Sequence, residues 1–311
     1  MGIVVIGASF VDIKGYPEGA FIPTGRNAGR VEQIHGGVGR NVAEDVANCE
    51  LRPTFVSLVD RSGIGDDVVR KLKSHKVNTD YIRATEDGLG TWLAVFDDEG
   101  DVYASVSKRP NLRPIGNILD EHGDEIFRDA HSVIVEIDLE KEVVKRIFKL
   151  AQKYNKKVYG VVSNMSIALE RRDFLQSIAC FTCNQQEAGI LFYDDYTKLS
   201  PQEMEKELVQ KVCSARIPSM IVTMGDRGAV YADIEGNSGF VPALKVAVND
   251  TTGAGDAFCA GAAIGLTYGK TLAEACRIGS QLAASVIVTS DNVCPRFLPS
   301  ELGLDIDIGG V

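Results

Sequence analysis

The chain has 311 residues, 45% hydrophobic and 24% charged, which excludes disorder as its main state and supplies apolar material for one large core or two modest ones. Lys+Arg number 33 and Asp+Glu 43, a formal net charge of −10; so acidic a surface repels phosphate backbones and anionic lipids, and neither nucleic acid nor a membrane is an expected partner. No apolar run is long enough to span a bilayer, and Met1–Gly7 lacks the flank of a signal peptide, so a cytoplasmic protein is expected.

Strand-like runs alternate with amphipathic stretches along the chain: Ile3–Gly7 then Val38–Cys49, Thr54–Leu58 then Gly65–His75, Ser132–Ile137 then Leu139–Tyr154. Lys157–Val162 follows, then Cys180–Cys183 before Gln185–Phe192, and Pro201–Ala215 before Met220–Thr223. The small-residue helices Gly253–Tyr268 and Thr271–Val288 close the pattern. Regular alternation predicts an α/β fold with a mostly parallel sheet covered on both faces.

Two segments break the rhythm. Lys14–Ile34 is rich in Gly, Pro and Asn, and Thr91–Ser107 alternates around Asp97-Asp98-Glu99-Gly100 as a β-hairpin does. They are read as a small β-sheet lid, from about 14–34 and 91–107, on a single domain spanning 1–311. An uncovered lid sheet can pair with its twin, so a homodimer through the lid is expected. The seven cysteines are read as small core residues of a reducing compartment, and Cys180-Phe181-Thr182-Cys183 has no second pair or nearby histidine to make a zinc or redox site.

The sharpest local signal is Asn249-Asp250-Thr251-Thr252-Gly253-Ala254-Gly255-Asp256, opening a helix. Glycines at a helix start let backbone approach a ligand, and the first unpaired N–H groups then form an anion hole. Asp256 at its mouth would repel a resting phosphate but can take a proton from a hydroxyl attacking it. The competing reading is an ordinary terminus, capped by Thr252, with Asp256 favouring the helix dipole. A Walker A loop is absent. A second cluster, Gly36-Gly37-Val38-Gly39-Arg40-Asn41, also opens a helix. No clean strand precedes it and G-x-G-x-x-G fails, which disfavours NAD; the glycines would leave bare backbone for a polyol whose hydroxyls Asn41 reads.

Gly36-Gly37-x-x-x-Asn41 and Asp250–Asp256 resemble the two signatures of the PfkB (ribokinase-like) family of carbohydrate and nucleoside kinases. Asp12, Asn184-x-x-Glu187 and Thr223-x-Gly225-x-x-Gly228 fall in family order, so the resemblance spans nearly the whole chain. It implies a three-layer α/β/α fold with a β-sheet lid, and an ATP- and Mg²⁺-dependent transfer of the γ-phosphoryl group to a primary hydroxyl. Asp256 would be the general base, with the amides of Gly253, Ala254 and Gly255 stabilising the moving group. Asp12, Gly36, Gly37 and Asn41 would bind the sugar. Asn184 and Glu187 would organise the Mg²⁺ water shell and ATP phosphates, and Thr223, Gly225 and Gly228 would line the nucleotide groove. Each has a plainer alternative: a capping box at 184–187, a tight turn at 223–228, a turn residue at Asp12.

Asn27-Ala28-Gly29-Arg30 ahead of His35–Asn41, Gly236-Asn237-Ser238-Gly239-Phe240, and Val288-Thr289-Ser290-Asp291-Asn292 look more like pseudouridine kinases than ribokinases or fructokinases. That favours the 5′-hydroxyl of pseudouridine as acceptor, with ribose, fructose or a related sugar as the alternative. A non-catalytic sugar sensor would have little reason to keep Asp256, and no motif places the paired acids of a hydrolase. Two features depart from the family. Tyr159-Gly160-Val161 stands where an Asp is common, and the loop after Val288 lacks the glycine run that helps hold a monovalent cation, although Asp250 and Thr252 could offer carbonyl oxygens to K⁺.

Overall fold

Around β1 (Val4–Ile6), Val4 and Ile6 enter one buried core while Ile3 and Val5 enter another, so the first strand is covered on both faces. In the computed structural model, residues 2–97 and 102–306 are described. The chain continues through β2 (Phe10–Pro17), β3 (Gly29–Gly36), α1 (Val38–Asn48), β4 (Thr54–Asp60), α2 (Gly63–Ser74), β5 (Ile82–Thr85), β6 (Gly90–Phe96) and β7 (Val102–Lys108). Then come α3 (Ile115–Asp129), β8 (Ser132–Glu136), α4 (Lys141–Lys153), β9 (Lys157–Val161), α5 (Met165–Ala168), β10 (Cys180–Asn184) and α6 (Gln185–Phe192). The last part holds α7 (Pro201–Ala215), β11 (Ser219–Thr223), β12 (Ala229–Asp233), β13 (Ser238–Val241), α8 (Ala254–Thr267) and α9 (Leu272–Ile287).

The large sheet has the order β13-β12-β11-β10-β9-β8-β1-β4-β5, parallel from β11 to β5, with β12 and β13 antiparallel at one edge. From β1 the chain fills β4 and β5 on one side and then β8 to β11 on the other. The gap beyond the ends of β1 and β8 is therefore the switch point, where open α/β sheets bind ligands. Residues of α1, α2, α8 and α9 share the core of Ile3 and Val5, while α3, α4, α6 and α7 share that of Val4 and Ile6. The result is three layers. α8 and α9 lie close because their contact is glycine on glycine: a Cβ on Gly261 would sit 2.8 Å from Gly279 Cα.

The smaller sheet has the order β3-β2-β6-β7, with β2 antiparallel to β3, parallel to β6, and β6 antiparallel to β7. It uses the two segments expected of a lid, but its first strand starts at Phe10 rather than Lys14. Asp98, Glu99 and Gly100 of the expected turn lie outside the described residues.

Several elements escaped the sequence pattern. Helix α3 carries Gly116 and Gly123, poor helix formers whose missing side chains admit α4: a Cβ on Gly123 would meet Leu150 Cδ1 at 2.6 Å. β5 is only four residues long and half-exposed, and β12 and β13 form an antiparallel hairpin outside the βα rhythm. A strand does precede α1, contrary to expectation, but β3 is an exposed lid strand with no buried run to signal it. It pairs only antiparallel with β2, so it is not the strand of a dinucleotide-binding unit.

Candidate active site

At the switch point Glu136, at the end of β8, accepts the N–H of Ala8 (2.9 Å) on one oxygen and that of Gly39 (2.6 Å) on the other. This pins the start of α1 to the end of β1. Burial raises the Glu136 carboxyl to about 8, the charge of Asp138 adding to the rise and the two amide bonds opposing it. Gly37 has φ +97°, and a Cβ there would lie 2.8 Å from Phe10 N; one on Gly36 would lie 2.5 Å from Asp12 Oδ2. On the side where a Cβ would stand, these missing side chains admit the Asp12 carboxylate at Gly36 and the protein's own backbone at Gly37.

Helix α8 starts from Gly253, whose φ is +82°, and no side chain caps it. Thr252 does not play the capping role open to it; its own N–H donates to Asp250 Oδ1 at 2.8 Å. A Cβ on Gly253 would fall 2.0 Å from Asn292 O, whereas one on Gly255 would meet nothing within 4 Å. The helix mouth is therefore closed behind Gly253 and open in front of Gly255, with the positive end of the helix facing the opening.

Asp256 stands in the first turn and its Oδ2 accepts from Asn41 Nδ2 at 2.6 Å. Asn41 Oδ1 in turn accepts from Arg40 Nε (3.1 Å) and Nη2 (2.8 Å). A guanidinium has no acceptor, so only the amide oxygen can face it, and the amide nitrogen must face Asp256. Both polar ends of Asn41 are thus engaged. Burial lifts the Asp256 carboxyl to about 7; the Asn41 bond and the Arg40 charge oppose the rise, and Glu187 and Asp12 add to it.

Asp12 hangs from the lid strand β2 over this cluster, its carboxyl raised by burial against the pull of Lys14 and Arg40. Lys14, one pleat further along and only 3% exposed, lies with Nζ 3.6 Å from Asp250 Oδ2 and so ties the lid to the loop before α8. Asn184 and Glu187 do form a capping box, each accepting the other's N–H at 2.8 Å. The plainer reading is correct there, yet Glu187 also faces the cleft, where its charge acts on Asp256 and Cys259. Thr223 pairs beside Asn184 in register, and Gly225 (φ +60°) and Gly228 (φ +116°) turn the chain into β12. Asp12, Gly36, Gly37, Asn41 and Gly253–Asp256 thus form one cluster with Glu187 beside it, while Thr223, Gly225 and Gly228 stand further along the sheet edge.

The sequence reading gave no role to Lys14, Glu44, Glu136 and Asp138, and passed over Arg40 and Asn292 inside stretches it singled out. Glu136-Ile137-Asp138 had a usable signal, two carboxyls ending a parallel strand. Asp138 accepts from Ser163 N (3.0 Å), the Ser163 hydroxyl (2.8 Å) and Arg109 Nη2 (3.1 Å), joining the chain after β7 to the sheet. In β9 itself Tyr159 and Val161 are buried. Cys180 and Cys183 are buried free thiols.

The family model described as pfkB family carbohydrate kinase matches residues 2–296. A guanosine-inosine kinase of Exiguobacterium acetylicum is 35% identical over 295 residues, covering 93% of this chain and 95% of that protein. A pseudouridine kinase of Escherichia coli is 26% identical over 294 residues, covering 93% and 92%. The structure of Arabidopsis thaliana ribokinase complexed with ribose and ATP superposes with a TM-score of 0.84 at 21% identity, covering 96% of this chain and 97% of that one, so the fold is ribokinase-like. Matched by the family model over nearly its full length and by a relative above 30% identity, the chain belongs to the pfkB family of carbohydrate kinases.

Proposed function

We propose that the protein transfers the γ-phosphoryl group of ATP to the 5′-hydroxyl of a ribonucleoside. The observation that carries this reading is a carboxylate, held by Asn41 through one oxygen, in the first turn of a helix N-terminus that no side chain caps. Asp256 takes the proton of the attacking hydroxyl, and the amides at Gly253 and Gly255, joined by that of Ala254 once it leaves the Thr251 carbonyl to which it now donates (3.2 Å), gather charge on the equatorial oxygens of the moving group. Asp12 holds the ribose hydroxyls, and Asn41 orients Asp256 beside them; Gly36 and Gly37 make room for that arrangement.

Asn184, Glu187, Thr223, Gly225 and Gly228 serve the nucleotide side of the cleft. Among the described residues no cluster of His, Cys, Asp and Glu could hold a metal by itself, which suits Mg²⁺ carried on ATP phosphates with Glu187 reaching its waters. When bound, Mg²⁺ neutralises charge on the β- and γ-phosphate oxygens. K⁺ at Asp250 and Thr252 would share that loop with the Lys14 ammonium, so its activating effect should be small.

The 35% identity to a guanosine-inosine kinase supports purine ribonucleosides as first candidates. Pseudouridine comes second, supported by the likeness at 26% and the stretches 27–30, 236–240 and 288–292. ADP release over guanosine, inosine, pseudouridine, uridine, ribose and fructose tests the substrate: a nucleoside should exceed the free sugars in kcat/KM, and a preference for ribose would overturn the nucleoside reading. The acid limb of kcat/KM should fall near pH 7, with activity rising as Asp256 loses its proton. A flat profile between pH 6 and 8 would count against Asp256 as the base.

The lid supports a homodimer. Val31, Leu93 and Val106 lie on one of its faces, 72%, 46% and 69% exposed. Light scattering should report a dimer that Leu93→Asp with Val106→Asp converts to monomer.

A further inference from the structure

Arg40 is an unusual group to find where it is. It is fully buried, and its donors reach Glu44 Oε2 (2.6 Å), His35 O (2.8 Å), Asn41 Oδ1 and Asn292 Oδ1 (3.2 Å). A buried ion pair is a poor way to gain stability, because apolar residues of similar volume do as well or better. Its geometry has a different consequence, since it fixes which face of the Asn41 amide points at Asp256.

We propose that Arg40, clamped by Glu44, is a positioning residue that orients the Asn41 amide and thereby holds Asp256 with one carboxylate oxygen occupied and the other free to accept the substrate's proton. This rests on the reading of Asp256 as the proton acceptor. Glu44 completes the clamp from outside: its second oxygen lies 3.3 Å from Lys71 Nζ and 3.7 Å from His75 Nε2, at the end of α2. Burial alone would raise the Glu44 carboxyl, but Arg40, Lys71 and His75 outweigh it and keep the group ionised. Asn292 closes the network from the other side. Its Nδ2 donates to His35 O (2.7 Å) and Asn41 Oδ1 (3.4 Å), while its own carbonyl backs Gly253. One set of side chains therefore fixes both the proton acceptor and the loop that opens the anion hole.

The groups acting on Asp256 are Arg40, Asn41 and Asp45 of α1, Glu187 of α6, Asp12 of β2, Glu136 of β8 and Cys259 of its own helix. Arg40 is the cation among them. Removing it should move the acid limb of kcat/KM to higher pH, whereas lysine, which keeps the charge but not the planar fork, should leave the limb in place and still lower kcat.

The test compares Arg40→Lys, the double variant Arg40→Met/Glu44→Leu, and Asp256→Asn in the full chain with ATP, Mg²⁺ and the best nucleoside. The double variant replaces the buried pair with apolar side chains of similar volume and should melt near the wild-type temperature. We expect it to lose about 10²-fold in kcat, the scale of a small misplacement of a reacting group, with KM for ATP within about twofold and the acid limb displaced upward. Arg40→Lys should lose about tenfold in kcat with the limb unmoved. A folded double variant with wild-type kcat and pH profile overturns the proposal, making the network packing alone. If the double variant does not fold, Arg40→Lys decides, and wild-type kcat there overturns it equally. Wild-type activity in Asp256→Asn would instead sink the reading of the base itself, whatever the Arg40 variants do.

Discussion

Replacing Asp256 with asparagine is expected to lower kcat by about 10²–10⁴ and leave the affinity for ATP within a few-fold, since general-base contributions have that size. The substitution is nearly isosteric and its amide oxygen can still accept from Asn41 Nδ2, so positioning survives while basicity is lost. The uncapped α8 terminus and the sugar contacts remain, and they account for the residual rate. A loss below about tenfold would remove Asp256 from the role. The same variant has a stability signature with a definite sign. In the folded protein the carboxyl sits at about 7, above its ordinary 3.8, so the native state favours the protonated form and stability declines as pH rises through about 7. Asparagine carries no such penalty. At pH 8 the variant should melt above the wild type by a few degrees, and scanning calorimetry at lower pH should show the gap narrowing. A variant that loses activity while gaining stability would mark Asp256 as kept for chemistry.

How much of this was legible in the sequence depended on how far apart in the chain the cooperating residues lie. The α8 terminus reads locally, because glycines, threonines and aspartates within one turn declare a backbone left open. The βα alternation also reads locally, as each run buries its own face against the sheet. Asn184-x-x-Glu187 and Thr223–Gly228 were legible as local structure: the capping box and the turn are real, and Asn184 pairs in register with Thr223 at the ends of β10 and β11. The Asp256–Asn41 bond spans 215 positions, the Asn292–Asn41 contact 251, and the Gly39–Glu136 bond 97. No spacing rule joins such residues, and only the sheet order brings them together. Arg40 and Glu44 sit at i and i+4, which on a helix surface would read as an ordinary solvent-exposed pair. Their complete burial gives the pair its meaning, and burial follows from how α1 packs against α8 and the sheet strands β1, β4 and β8, with the His35 carbonyl and Asn292 closing over the guanidinium.

Two glycines two positions apart should separate folding from catalysis. Alanine at Gly253 meets both a left-handed φ of +82° and Asn292 O only 2.0 Å from the new Cβ, so the loop behind it must move. The strain alone is about 1–2 kcal/mol, and the loop it displaces carries Asn292, so both melting temperature and activity should fall. Alanine at Gly255 meets nothing within 4 Å and no left-handed φ, and it replaces glycine inside a helix, where alanine is the better former by about 1 kcal/mol. Thermal melts should therefore show Gly255→Ala at or above wild type. Its methyl group, however, adds bulk to the open first turn of α8, which on the proposed function is where the migrating phosphoryl group meets the helix amides. Displacing that group from one well-aimed donor is expected to lower kcat by about 10²–10³. The comparison isolates the anion hole from the fold: both variants lose activity, but only Gly253→Ala loses stability. If Gly255→Ala turned over ATP and nucleoside at the wild-type rate, the open side of that glycine would not be where the phosphoryl group passes, and the amides of residues 253–255 could not be its cradle.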